Sequence, residues 1–286
     1  MENTVNEKRP ILDVENLRVS YHTYAGEVQS VRGVSFDVDR GQVLAIVGES
    51  GCGKSVTSRA VMSLIQGPQG EIKKCSKILY NGENILDYDK KKIREFRGGE
   101  CAMIFQDALT SLNPTMKVGK QIMENLIIHR NMDKKTARAE AIKILEAVGI
   151  PNAEKRVDQY PHEFSGGMRQ RVALIRTLAL KPDLLLLDEP FSALDYQTRI
   201  SVSNDVCNII KNEKKTLIIV THDISEAISM CNKIIVMSKR PSTIKKTYNI
   251  DYDFDRTNPI KSRSSKEFME YYEKIWEDLN DEKWRI

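Results

Sequence analysis

Eight residues constrain this chain more than any others: Gly48-Glu49-Ser50-Gly51-Cys52-Gly53-Lys54-Ser55. They follow the apolar run Val43 to Val47 and open a stretch of helical character from about Ser55 to Leu64. A short, continuously apolar run predicts a strand buried on both faces. The pattern G-x-x-x-x-G-K-[ST] between such a strand and a helix is a phosphate cradle. A phosphate is a concentrated anion and needs convergent donors. Glycines let the loop turn its backbone N–H groups inward, and the helix N-terminus adds a favourable partial charge. Lys54 is placed to reach the β- and γ-phosphates of a nucleotide, and the Ser55 hydroxyl to take a place on Mg2+.

The second chemical element is Leu184-Leu185-Leu186-Leu187-Asp188-Glu189-Pro190. Four leucines predict a core strand, and two carboxylates leave it at the C-terminal end, where parallel sheets collect their ligands. With a phosphate loop upstream, Asp188 is expected to hold Mg2+ through its water shell. Glu189 is expected to orient or deprotonate an attacking water.

These elements lie in an α/β pattern. Residues 11–38 alternate apolar and polar in two stretches, as strands with one wet face do, and 76–89 reads as a hairpin turning at Asn81-Gly82. From about 108 to 180 the spacing of apolar residues is helical. Beyond it the buried-strand runs 184–190, 216–223 and 233–239 alternate with helices, which predicts a parallel sheet. In the last segment Phe268, Tyr272, Ile275, Trp276 and Leu279 are expected on one helix face that packs on the body of the protein, a docking helix for a partner being the sharper reading.

Composition narrows the function. Of 286 residues 41% are hydrophobic, enough for a large core, so a disordered chain is excluded. Lys+Arg 44 against Asp+Glu 40 leaves only +4, a poor basis for a nucleic-acid binder that works by neutralising phosphates. Five scattered cysteines with no C-x-x-C fit a reducing compartment rather than a disulfide framework or zinc module. His22, His129 and His162 show no metal spacing. No apolar h-region follows the N-terminal charges, Glu2 excludes N-myristoylation, and about 18 apolar residues never run together, so a soluble chain without a span is expected.

Between the two chemical elements stands Phe164-Ser165-Gly166-Gly167-Met168-Arg169-Gln170-Arg171, which resembles the signature motif of ABC transporter ATPase subunits. The resemblance covers roughly residues 11–240, including Gln106, the run Ser192-Ala193-Leu194-Asp195, and His222 closing TLIIVTH. It implies a P-loop NTPase (RecA-like) core with an N-terminal antiparallel β subdomain and an inserted α-helical subdomain. The implied organisation is an ATPase domain at 8–240, the insert at about 108–180, and a tail at 241–286 carrying the amphipathic helix. ATP and Mg2+ are the implied ligands, with Gly48 to Ser55 on the phosphates and Ser55, Gln106 and Asp188 on the metal. Glu189, His222 and Gln106 are the implied catalytic residues. Tyr21 resembles the aromatic that stacks on adenine, with Tyr24 as its rival. Ser165, Gly166 and Gly167 would cap the γ-phosphate held by a second subunit, and Asp195 would act across that interface. Met168 stands where the family has Gln, which removes a strong hydrogen-bonding group from that position.

The stretches GEVQSVRGVSFDVDRGQVLAIVGESGCGKS, IFQDALTSLNPTMKVGKQI and FSGGMRQR resemble the oligopeptide/dipeptide (and nickel) importer ATPases. The resemblance implies a second ATPase subunit, different or identical, and two membrane permeases that hold the chain at the cytoplasmic face of the membrane. It also implies an extracytoplasmic solute-binding protein and no nucleic acid. The segment Asp107 to Gln121 would face a permease. The segment EFMEYYEKIWEDL is similar to the ends of nitrate/sulfonate/taurine importer ATPases, and an ABC ATPase acting on DNA, chromosomes or ribosomes is the alternative from another class. The oligopeptide/dipeptide importer ATPases often bear a cysteine cluster near their end, but no cysteine follows Cys231, so no iron–sulfur site is expected. Cys52 carries two readings, a thiol sensitised by the helix N-terminus or an incidental small residue.

Overall fold

A computed structural model describes residues 9–65, 67–106, 112–192, 196–213, 215–251, 263 and 265–280. Two sheets organise them. In the first, β1 (Leu12–Thr23) pairs antiparallel with β2 (Gly26–Val38) on one side. On the other it meets β4 (Gly70–Ile72) and β5 (Lys77–Tyr80), and β6 (Glu83–Asn84) completes the hairpin at Asn81-Gly82. The second sheet has the order β11-β10-β3-β9-β8-β7. Its members are β3 (Val43–Val47), β7 (Cys101–Ile104), β8 (Leu184–Asp188), β9 (Thr216–Thr221), β10 (Lys233–Met237) and β11 (Ile244–Asn249). All neighbours are parallel except β11 on β10.

The apolar runs are continuous because this sheet is buried on both faces. Successive side chains of a strand point to opposite sides. Val43, Ala45 and Val47 accordingly join the cluster that includes Leu185, Leu187, Leu217 and Ile219, together with the helices. Leu44 and Ile46 join Leu184, Leu186, Ile218 and Val220 in the cluster shared with the first sheet.

Helix α1 (Lys54–Val61) follows β3, and the short α2 (Lys90–Glu95) leads towards β7. Between β7 and β8 lie α3 (Val118–Arg130), α4 (Lys134–Ala147), the single turn α5 (Ala153–Arg156) and α6 (Gly166–Leu178). After β8 come α7 (Tyr196–Glu213) and α8 (Ile224–Met230). No helix among the described residues is long and apolar enough to cross a membrane.

Two strands carry little sequence signal. β7 has only four residues, and β11 is a polar edge strand in which Lys246, Thr247 and Asn249 are exposed and only Tyr248 is buried. The last helix, α9 (Lys266–Asn280), buries Phe268 and Ile275, with Tyr272 and Leu279 partly buried beside them. Trp276 departs from the expected face: it is exposed, being one residue and therefore about 100° of helix away from Ile275.

Candidate nucleotide site

Strand register brings the site together. Val47 of β3 lies opposite Thr221 of β9, Asp188 of β8 opposite Val220, and Ile104 of β7 opposite Leu187. Parallel strands in that register end on one edge. The residues that follow them, Gly48, His222, Glu189 and Gln106, therefore leave the sheet side by side although they span 174 positions of chain.

The loop after β3 turns through two glycines in the left-handed region, Gly51 at φ +76° and Gly53 at φ +111°, the second being the N-cap of α1. That region costs an L-residue with a Cβ about 1–2 kcal/mol. Lys54 is 4% exposed, and its ammonium donates to the carbonyls of Gly48 at 2.7 Å and Glu49 at 2.9 Å. The side chains of Glu49 and Ser50 stand in solvent. Cys52 is buried, and burial pushes its thiol up despite the nearby Lys54. Of the two readings for Cys52 this burial favours the incidental small residue, desolvation outweighing the helix terminus.

Ser55 Oγ donates to Asp188 Oδ1 at 2.7 Å. Burial pushes the Asp188 carboxyl up, against the pull of Ser55, Arg59 and Lys54. Its other oxygen, Oδ2, is buried with no partner among the protein's own atoms. A buried carboxylate oxygen left in that state is costly. A hydroxyl and a carboxylate are the hard oxygen donors that Mg2+ selects, so the residues fit that ion.

Glu189 is the point of convergence. Gln106 Nε2 donates to its Oε2 at 3.2 Å, His222 Nδ1 lies 3.3 Å from the same oxygen, and Lys54 Nζ is 3.9 Å from Oε1. The residue holds φ +46°, unusual for a side chain with a Cβ, and its N–H is pinned to the Val220 carbonyl at 2.8 Å. Backbone strain of this kind costs about 1–3 kcal/mol and collects at functional sites.

The remaining sequence candidates lie elsewhere. Ser165 is exposed and caps α6, its Oγ accepting the Met168 N–H at 3.3 Å, and the space above Gly166 is open. The Met168 side chain packs partly buried against the core. Tyr21 sits half-buried in β1 opposite Val28 and Gly70, while Tyr24 stands fully exposed in the β1–β2 turn. Gln121, at the end of the segment Asp107 to Gln121, is buried, its amide stapling Asn113 and Met116. Asp195, with Asp107, lies outside the described residues.

Sequence reasoning missed three contributors. Gln170 of α6 donates to the Pro190 carbonyl beside Glu189. Glu226, 6% exposed in the first turn of α8, accepts the Thr221 hydroxyl at 2.8 Å just before His222. Arg240 bonds the phosphate loop itself. None has a local pattern, although Glu226 following Asp223 at the start of a helix could have been read as a capping signal.

A family model described as ABC transporter matches residues 31–192. The chain is 48% identical over 227 residues to the oligopeptide transport ATP-binding protein OppD of Bacillus subtilis, covering 79% of this chain and 63% of that protein. It is 42% identical over 232 residues to the dipeptide transport ATP-binding protein DppD of Lactococcus lactis, covering 79% and 65%. The DppD of Bacillus subtilis is 43% identical, covering 79% and 68%. The chain thus matches roughly two thirds of the length of these relatives. In structure it is similar to an ATP-binding cassette solved as a dimer in a post-hydrolysis state with ADP and Pi, at TM-score 0.72 and 22% identity over 84% of this chain and 99% of that one. It is also similar to cbiO1 from Clostridium perfringens, part of the ABC transporter complex cbiONQ, at TM-score 0.71 and 26% identity over 92% and 94%. The matched family region contains the phosphate loop, the helical segment and the strand ending in Asp188, and the chain belongs to the ABC transporter family.

Proposed function

We propose that this chain binds Mg-ATP along the edge formed by β3, β7, β8 and β9 and hydrolyses it to drive an importer of oligopeptides or dipeptides. The convergence of Gln106, His222 and Lys54 on the Glu189 carboxylate carries this reading. Lys54 and the loop from Gly48 to Ser55 hold the phosphates, and Tyr21 takes the adenine side. Ser55, Asp188 and Gln106 hold magnesium, which when bound neutralises charge developing on the phosphates. Glu189 takes the proton of the attacking water, and His222 and Gln106 orient that water.

Ser165, Gly166 and Gly167 act on the nucleotide of a second ATPase subunit, with Asp195 at the interface between the two. The exposed Ser165 at an open helix start supports this assignment. The remaining partners are two membrane permeases, which keep the chain at the cytoplasmic face of the membrane, and, through them, an extracytoplasmic solute-binding protein. The peptide substrate rests on the similarity to OppD and DppD proteins.

Glu189→Gln tests the catalytic assignment. Phosphate release is expected to fall by about 10²- to 10⁴-fold, the usual worth of a general base, while Mg-ATP binding persists. Turnover within a few-fold of the parent protein refutes the role.

A further inference from the structure

The loop that holds the nucleotide in the reading above has a neighbour that no phosphate motif contains. Residues 238–243 join β10 to β11, and this turn lies along the phosphate loop. Each of three loop glycines approaches a different residue of the segment that begins at the end of β10. A Cβ at Gly48 would sit 3.3 Å from Met237, one at Gly51 3.7 Å from the Arg240 guanidinium, and one at Gly53 2.6 Å from Ser242 Oγ.

The contacts are polar and specific. Arg240 donates twice to the Gly51 carbonyl, from Nε at 3.1 Å and from Nη2 at 2.9 Å. Lys239 Nζ lies 3.2 Å from Glu49 Oε1. Ser242, fully buried, donates its hydroxyl to Ser30 O at 2.9 Å and its N–H to the same carbonyl at 3.2 Å, while its own carbonyl accepts from Arg32 N–H at 2.8 Å. The turn is closed on itself by Ser238, whose N–H donates to Thr243 O and whose Oγ accepts from Thr243 N–H, each at 3.0 Å.

We propose that this turn is a structural arm of the nucleotide site and that Arg240 is a positioning residue for the phosphate loop. It rests on the Mg-ATP reading of that loop. In a trans peptide the C=O and N–H point in opposite directions. The unit joining Gly51 to Cys52 is held from both sides, its carbonyl by Arg240 and its N–H by the Glu49 carbonyl at 3.3 Å. Left-handed Gly51 opens that unit and left-handed Gly53 lies one residue beyond it, so the backbone there has little restraint of its own and Arg240 supplies it. A phosphate then has to order the loop itself, and preorganisation is lost from affinity rather than from chemistry. Ser242, anchored to β2, fixes where the arm can reach.

The test compares the full-length parent protein, Lys54→Ala, Arg240→Ala and Arg240→Lys. Mg-ATP binding is followed by titration calorimetry and turnover by phosphate release. The Arg240→Ala protein is expected to bind Mg-ATP about tenfold more weakly, the loss of two charge-assisted bonds on an exposed side chain. Its kcat at saturating nucleotide is expected to fall by less than its KM rises, and Arg240→Lys to recover part of the affinity. A Kd within twofold of the parent, or a fall in kcat with unchanged KM, overturns the proposal while leaving the nucleotide reading intact if Lys54→Ala has lost binding. A parent protein that does not bind Mg-ATP overturns both.

Discussion

Glu226 offers a measurement that depends on burial alone. Its carboxyl lies in the first turn of α8, 6% exposed, and burial pushes it from 4.5 up to about 7. The charge of Asp223 adds to that rise. The Thr221 hydroxyl, Arg199 with Nε 4.0 Å from Oε1, and His222 oppose it. A carboxyl whose folded value is raised keeps its proton in the fold at a pH where the unfolded chain has lost it. Its contribution to stability is fully present below pH 4.5 and is lost as pH rises through 7. The shift is worth about 3 kcal/mol at ~1.4 kcal/mol per unit. Glu226→Gln keeps an oxygen for the Thr221 hydroxyl and removes the titration. Urea unfolding of both proteins at pH 5 and pH 8 isolates the effect, since groups common to both cancel. The variant is expected to gain on the parent by about 2.5 kcal/mol between those two values, since pH 5 already lies above the unfolded value. A difference that stays constant within about 0.5 kcal/mol means that burial does not raise this carboxyl, and the reasoning from its 6% exposure then fails.

Two further outcomes follow from the loop. Lys54→Ala removes the only side chain that bonds both the Gly48 and Glu49 carbonyls among the described residues, and the thermal shift produced by Mg-ATP is expected to vanish; an undiminished shift counts against the phosphate cradle. Gly53→Ala forces a left-handed alanine at φ +111° whose Cβ falls 2.6 Å from Ser242 Oγ and 2.9 Å from Ser30 O. Strain and overpacking together are expected to cost about 3 kcal/mol in chemical unfolding, and a loss below about 1 kcal/mol shows that the arm yields.

The parts of the molecule legible in the sequence are those whose physics is local. Val43 to Val47 and Leu184 to Leu187 announce themselves because a strand covered on both faces has no polar position to show. The phosphate loop is legible because its glycines and lysine must stand at fixed spacing. That Gln106, Glu189 and His222 meet was implied by resemblance; physically it follows from the parallel register, which no single segment encodes. The illegible parts are cross-chain bonds. Arg240 reaches Gly51 across 189 positions, and Gln170 reaches Pro190 from a helix whose own periodicity is satisfied without it. Cys52 shows the complementary limit: its position at a helix start is legible, while its burial, which decides between its two readings, is set by tertiary packing.

The resting hydrogen bonds of the loop bear on why a second subunit belongs in the proposal. Lys54 already has two carbonyl acceptors, so a phosphate gains only the difference between an anion and two neutral oxygens, and it must displace bonds of 2.7 and 2.9 Å to do so. Glu189, a carboxylate of the same sign as the phosphate, stands 3.9 Å from Lys54 and takes another part of that gain. On the proposed reading, the loop alone leaves part of the charge of a γ-phosphate to be met by other donors. Donors brought from outside then have a large effect on how firmly the γ-phosphate is held. The start of α6 supplies donors of that kind, with Ser165 exposed and Gly166 uncovered, and Gln170 ties the same helix to Pro190 beside Glu189. On the proposed arrangement, a change in the grip of α6 on a second subunit's nucleotide would pass, through the buried Gln170 amide, to the backbone that carries the proposed base.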